Sequence, residues 1–259
     1  MTTVLITGST DGIGLRAAQT LRARGCDVIV HGRDPAKVAA ARDRVGAIAG
    51  LVADLGDLRQ ATRLADEASD LSPDVLINNA GIYARERLAT PSGEATWVVN
   101  HLAASLLADA LIPGMVAGGR VIYVSSIAHG RAQLDLDDPE FERRPYDHYA
   151  AYAQSKLANL LMAQETARRL GPGSPVAVNA LHPGVVGTKL LTEGFNIPGR
   201  DDLDAGSATS VFLALDADPG HTGGYWYRSR PAPPQGAGTD SELAAQLYDY
   251  TMQVIEERG

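Results

Sequence analysis

The chain has 259 residues, 45% of them apolar, which suits one large α/β domain or two small ones and argues against wholesale disorder. A formal charge of −8 without a basic cluster speaks against nucleic acid as a partner. No run of about 18 uninterrupted apolar residues appears, so no membrane span or leader is expected, and a single cysteine, Cys26, permits no intrachain disulfide and points to the cytoplasm.

Short β-branched runs alternate with longer amphipathic stretches along the chain. VLIT (4–7) reads as a strand and is followed by a helix to about Arg24. VIVH (28–31) is a second strand, and Pro35 opens the helix after it. A third strand lies within 47–55, and helical spacing runs from Asp57 to Ser69. DVLINNAG (74–81) is a fourth strand that ends in small and polar residues. Helical spacing returns over 94–111, RVIYVSS (120–126) is a fifth strand, and 149–170 is a long helix closed by Gly171. VAVNALHPG (176–184) is a sixth. These strands are apolar on both faces, as in a parallel sheet covered on both sides. The expectation is a single doubly wound Rossmann-fold domain over 1–259, with about seven parallel strands and helices on both faces.

The glycine-rich turn TGSTDGIG lies between the first strand and its helix. That context lets Gly8 turn the chain sharply, Gly12 bring backbone close to phosphates, and Gly14 pack helix on strand. By itself the spacing also describes an ordinary tight turn. About 20 residues on, where dinucleotide folds read the ribose, stands His31-Gly32-Arg33-Asp34. An arginine there pairs with the 2′-phosphate of NADP, whereas Asp34, before Pro35, serves equally as a helix cap. NADP is therefore preferred, with NAD as the alternative. Lysine is scarce, limited to Lys37, Lys156 and Lys189. AYAQSK sets Tyr152 and Lys156 on one helix face, where an ammonium favours the phenolate. Ser125 and Ser126 end the fifth strand, where open α/β sheets assemble their sites. Asp54-Leu55 ends the third strand, and Asn100 sits mid-helix among apolar residues.

Taken together, TGSTDGIG, DL, NNAG, VVN, VSS, YAQSK and HPGVVGT resemble a short-chain dehydrogenase/reductase in order and spacing. SSIAH, an acidic insert and YAQSKLAN resemble its retinol dehydrogenase-like branch, which includes WW-domain oxidoreductase relatives. The resemblance implies an NAD(P)-dependent enzyme interconverting a carbonyl and an alcohol. Tyr152 would be the general acid or base. Lys156 would bond the nicotinamide ribose and lower the tyrosine pKa. Ser126, or Ser125 in its place, would orient the substrate oxygen, and Asn100 would hold a water. Cofactor contacts would come from Gly8, Ser9, Thr10, Asp11, Gly12, Ile13 and Gly14, from Gly32 and Arg33, and from Asp54 and Leu55. Asn79, Ala80 and Gly81 would line the groove, with Pro183, Gly184, Val186 and Thr188 at the nicotinamide end. No metal is implied.

Ser126 and Tyr152 lie 26 positions apart, wider than is usual in that family. The insert, about 129–148, is expected to fold over the site, and 189–204 to form a second substrate-side loop. Leu190, Leu191, Phe195, Ile197 and Trp226 point to an apolar or aromatic substrate. The family often assembles through the helices at 94–111 and 149–170, so a homodimer or homotetramer is expected. Two other readings use the same residues: reduction of an activated C=C bond, and a non-catalytic dinucleotide sensor.

Overall fold

The structure, a computed structural model, describes residues 1–196 and 198–259. Its first half alternates β1 (Thr3–Ile6), α1 (Gly12–Ala23), β2 (Asp27–Gly32), α2 (Pro35–Val45), β3 (Ala49–Val52), α3 (Leu58–Ser69) and β4 (Val75–Asn78). A small hairpin, β5 (Ala89–Thr90) and β6 (Gly93–Glu94), precedes α4 (Ala95–Trp97). The same rod continues through a π-helical turn, Val98–Leu102, into α5 (Ala103–Leu111). Then come β7 (Gly119–Val124), α6 (His148–Leu170), β8 (Val176–His182), α7 (Leu203–Leu215), β9 (Tyr225–Tyr227), β10 (Arg230–Pro231) and α8 (Ser241–Arg258).

The sheet runs β10-β9-β8-β7-β4-β1-β2-β3. Every pairing is parallel except β10 with β9. This is the doubly wound Rossmann-like fold, with one more strand than expected: the short antiparallel edge β10. Alternation along the strands builds two cores. Leu5, Ile29 and Leu76 face α3, α5, α6 and α8, whereas Val4, Ile6, Val28 and Val30 face α1, α2 and α7. Aspartates cap six helices: Asp11, Asp34, Asp57, Asp147, Asp202 and Asp240 each accept backbone N–H groups of the first turn. Each such cap is worth about 1 kcal/mol, so part of the chain's negative charge serves its helix starts.

Leu247, Ala244 and Val254 of α8 join the core that α5 and α6 contribute to. The two helices expected to carry assembly are thus largely covered within one chain. The stretch Ala95–Gly114 is long and apolar enough to cross a membrane by length and composition, and it is mostly buried in this core. Cys26 is buried.

Candidate active site

The turn after β1 has the conformation its glycines permit. Gly8 and Gly12 have φ of +63° and +56°, which side-chain-bearing residues rarely adopt. A Cβ on Gly14 would overlap the Asn79 amide and the Gly8 carbonyl, so only glycine lets α1 start this close to the sheet. Asn79 holds the turn from the end of β4: its Nδ2 donates to Thr7 O (2.8 Å) and Gly8 O (3.1 Å). The N–H groups of Asn79 and Ala80 both donate to Thr7 Oγ1 at 3.0 Å. Ser9, expected as a cofactor contact, has its hydroxyl committed inside. It donates to Ile6 O (2.8 Å) and accepts from His31 N–H (2.9 Å).

His31 is a residue the spacing did not single out. Its Nδ1 accepts from Gly8 N–H (3.2 Å) and its Nε2 faces Ala53 O (3.2 Å), which requires the neutral ring with the proton on Nε2. Burial pushes its pKa down to about 4, which keeps it in that form. The ring thus ties the glycine turn to β2 and to the end of β3. Gly32 follows, packed against Thr10: a Cβ there would meet Thr10 Cγ2 at 2.6 Å. Arg33 is exposed at the end of β2, and Asp34 is taken up as the cap of α2. At the end of β3, exposed Asp54 accepts from Gly56 N–H (2.9 Å), and Leu55 is buried in the core.

A cleft of about 660 Å³ opens beside this turn. Ile13, Asn79 and Gly81 line one side, and Pro183, Gly184, Val186 and Thr188 another. Tyr152 and Lys156 of α6 and Ser126 after β7 meet on its floor. Lys156 Nζ donates to Val124 O (2.9 Å) and lies 5.6 Å from the centre of the Tyr152 ring. Burial dominates both titrations. It pushes Tyr152 up to about 12, against the pull of the Ser126 hydroxyl beside it, and lowers Lys156 to about 8. The expected lowering of the tyrosine by its lysine is therefore not what this enclosure produces: desolvation of the phenolate outweighs an ammonium at this distance.

The two serines separate. Ser125 is buried and donates to Lys156 O (2.6 Å), which braces α6 against β7. Ser126 is partly open to the cleft, and its Oγ accepts from Ala128 N–H (3.2 Å). Asn100 lies in the π-helical turn, fully buried behind Gly81. It accepts from Ile82 N–H (2.7 Å) and donates to Ile82 O and Ser155 Oγ (3.0 Å each).

The outer walls come from distant segments. Leu190, Leu191 and Phe195 line the cleft from a π-helical turn, and Tyr83 packs on Phe195 (3.9 Å between ring centres) and Tyr152 (5.5 Å). Lys189, beside that turn, pairs with Asp11 of the glycine turn at 2.8 Å. Ile197, offered above as a wall residue, lies outside the described residues. Trp226 does not reach the cleft: it faces the α7 side of the sheet and donates from Nε1 to Asn179 Oδ1 (3.2 Å). The insert divides. Its start, the 3₁₀ turn Ile127–Arg131, borders the cleft. Further along, Glu140 is buried against the β5–β6 hairpin, accepting from Arg258 Nη1 (2.6 Å) and Glu94 N–H (2.7 Å). That part is anchored by α8, and none of residues 132–148 lines the cleft, although His148 at the insert's end bonds the Tyr83 hydroxyl. No cluster of metal-ligating side chains occurs among the described residues.

Residues 2–196 match the short chain dehydrogenase family. The chain belongs to the short-chain dehydrogenase/reductase family. Two relatives place it in the retinol dehydrogenase-like branch. A proposed daunorubicin C-13 ketoreductase of Streptomyces sp. (strain C5) is 38% identical, covering 98% of this chain and 92% of that one. Mouse retinol dehydrogenase 13 is also 38% identical, over 98% of this chain and 83% of its own. Among solved structures, a Mycobacterium paratuberculosis protein without assigned function superposes with TM-score 0.86 at 34% identity, covering 99% of this chain and 94% of that one. A Burkholderia cenocepacia short chain dehydrogenase in complex with NADP gives TM-score 0.68 at 26% identity, over 87% of this chain and 95% of that one. Like its family, this short-chain dehydrogenase/reductase is a nicotinamide-dependent oxidoreductase.

Proposed function

We propose that the enzyme is an NADPH-dependent reductase of a ketone or aldehyde with an apolar or aromatic body, run in reverse as an alcohol dehydrogenase. The observation that carries this is the meeting of Tyr152, Lys156 and Ser126 on one cleft that opens beside the glycine turn. The turn suits a dinucleotide: its positive-φ glycines leave bare backbone at the start of α1, where unpaired N–H groups attract phosphate. Arg33, exposed beyond β2 while Asp34 is occupied as a cap, favours the 2′-phosphate of NADP. The solved relative bound to NADP is consistent with that choice.

A bound nicotinamide would supply the hydride chemistry at the substrate carbon. Tyr152, held as a phenol at neutral pH by burial, donates its proton to the oxygen that becomes the alcohol. Ser126 orients that oxygen by a hydrogen bond. Lys156, the buried cation beside the phenol, bonds the cofactor sugar and favours negative charge building on Tyr152. Tyr83, Phe195, Leu190 and Leu191 exclude water and select an apolar body.

The test is loss of nicotinamide absorbance across a panel of ketones, enones and aldehydes. Tyr152→Phe is expected to lower kcat by about 100-fold or more. Arg33→Ala is expected to narrow the NADP-over-NAD affinity ratio by about tenfold or more. Equal affinities in the wild type would overturn the cofactor assignment, and full activity in Tyr152→Phe would overturn the chemistry.

A further inference from the structure

The charged side chains lining the cleft, among the described residues, are Lys156, Arg200 and Arg131. All three are cations, in a chain whose formal charge is −8. Two have places on the cofactor side. Lys156 stands beside Tyr152. Arg200 is carried next to the nicotinamide-side loop, its N–H donating to Val185 O at 2.8 Å. Arg131 is different. It closes the 3₁₀ turn that starts just after Ser126, beyond β7, which β4 separates from β1. Like Arg200, it is exposed, and its guanidinium makes no ion pair or hydrogen bond among the described residues.

The ground under Arg131 is built. Buried His129 donates from Nδ1 to Ser126 O (2.6 Å) and accepts at Nε2 from Gln235 N–H (3.1 Å), so one ring ties the serine's backbone to the Gln235 segment. Gln235 packs directly on Gly130: a Cβ there would meet Gln235 Cβ at 2.8 Å. Gln235 lines the cleft, as Arg131 does. His182 lines it too, 5% exposed and stacked on Tyr227, with an Nδ1 that has no partner among the described residues. The lining of the cleft therefore combines an aromatic and apolar wall with a guanidinium, a carboxamide and an imidazole.

We infer that Arg131 and Gln235 bind an anionic group, a carboxylate or a phosphate, that the substrate carries away from its reacting carbonyl. The inference rests on the reductase reading above and deepens it: the substrate is amphipathic, its apolar body against Phe195 and Tyr83 and its anion at Arg131. A guanidinium pairs with either oxyanion through two parallel N–H groups, which a lysine cannot match.

The test compares 4-acetylbenzoate, its methyl ester and 4-acetylphenyl phosphate as substrates with NADPH. It adds calorimetric titration of 4-acetylbenzoate into the enzyme–NADP complex. Wild type is expected to favour an anion over the ester by about tenfold or more in kcat/KM, through KM. Arg131→Ala is expected to bring that ratio near one, and Arg131→Lys to restore part of it. The favoured anion names the group. An ester used as well as both anions, or a ratio unchanged in Arg131→Ala, would overturn the anion site. Binding of 4-acetylbenzoate that depends on Arg131 without any turnover would uphold the site and overturn the reductase reading. Absence of both binding and turnover would overturn both.

Discussion

Replacing Lys156 with methionine is expected to stabilise the protein while disabling it. Lys156 is 3% exposed, and among the described residues its ammonium makes a single hydrogen bond, a donation to Val124 O. Burial lowers its pKa from 10.5 to about 8. A shift of that size corresponds to about 3 kcal/mol of cost to the folded state when the lysine is charged. Methionine keeps the unbranched stem and removes the charge. Loss of the bond to Val124 returns about 1 kcal/mol. The net gain is about 2 kcal/mol at pH 7, or roughly 4–8 °C in Tm for a chain of this size. The folded-state pKa lies below the unfolded one, so between pH 8 and 10.5 the unfolded chain binds more protons and wild-type stability rises with pH. The advantage of Lys156→Met is thus full below pH 8 and lost by pH 10.5. Calorimetric melting of cofactor-free protein across that range reads it, since bound cofactor would add its own stabilisation to the wild type. Turnover of the same variant should collapse. A Tm at or below wild type at pH 7, or a gain persisting at pH 10.5, would refute the reasoning.

Gly14→Ala places a methyl group against the Asn79 amide and Gly8 carbonyl. It is expected to cost about 1–3 kcal/mol by overpacking, with a lower Tm and weaker NADPH binding by fluorescence titration. Arg258→Ala removes the cation from buried Glu140 and is expected to cost about 3 kcal/mol by denaturant unfolding. The double variant Arg258→Ala/Glu140→Gln should recover much of that loss, because the stranded charge is then gone.

What could be read from the sequence was local. The glycine turn and the pairing of Tyr152 with Lys156 rest on spacings of a few residues, which fix geometry before any tertiary contact forms. The doubly wound architecture followed from short apolar runs that alternate with helical stretches. What could not be read was assembled over long separations. Tyr83, Arg131, His182 and Gln235 meet at one cleft from four segments with no shared periodicity. Ser125 and Ser126 point to opposite sides at a strand end, and nothing local says which side α6 covers. Trp226 failed for the same reason: β9 turns it toward α7. The direction of the Tyr152 shift needed burial, which outweighs the ammonium that helical spacing supplies.

The scarcity of lysine has a physical counterpart around the glycine turn. Asp11 caps α1, so a carboxylate sits where the helix N-terminus would otherwise draw phosphate. Left alone, that charge would repel an anionic ligand. Lys189 pairs with it at 2.8 Å, and the field of Lys37 adds to the hydrogen bonds from Lys189 and Gly12 that hold Asp11 below the usual carboxylate range. The cap and Lys189 therefore act together: Asp11 satisfies the first turn of α1, Lys189 pairs with its charge, and Lys37 adds only a weaker field. The third lysine, Lys156, is the one lysine among the described residues that lines the cleft itself. The remaining cationic side chains are arginines, several of them in surface ion pairs such as Arg24–Asp216 and Arg169–Asp249, where a planar fork holds a carboxylate better than an ammonium does.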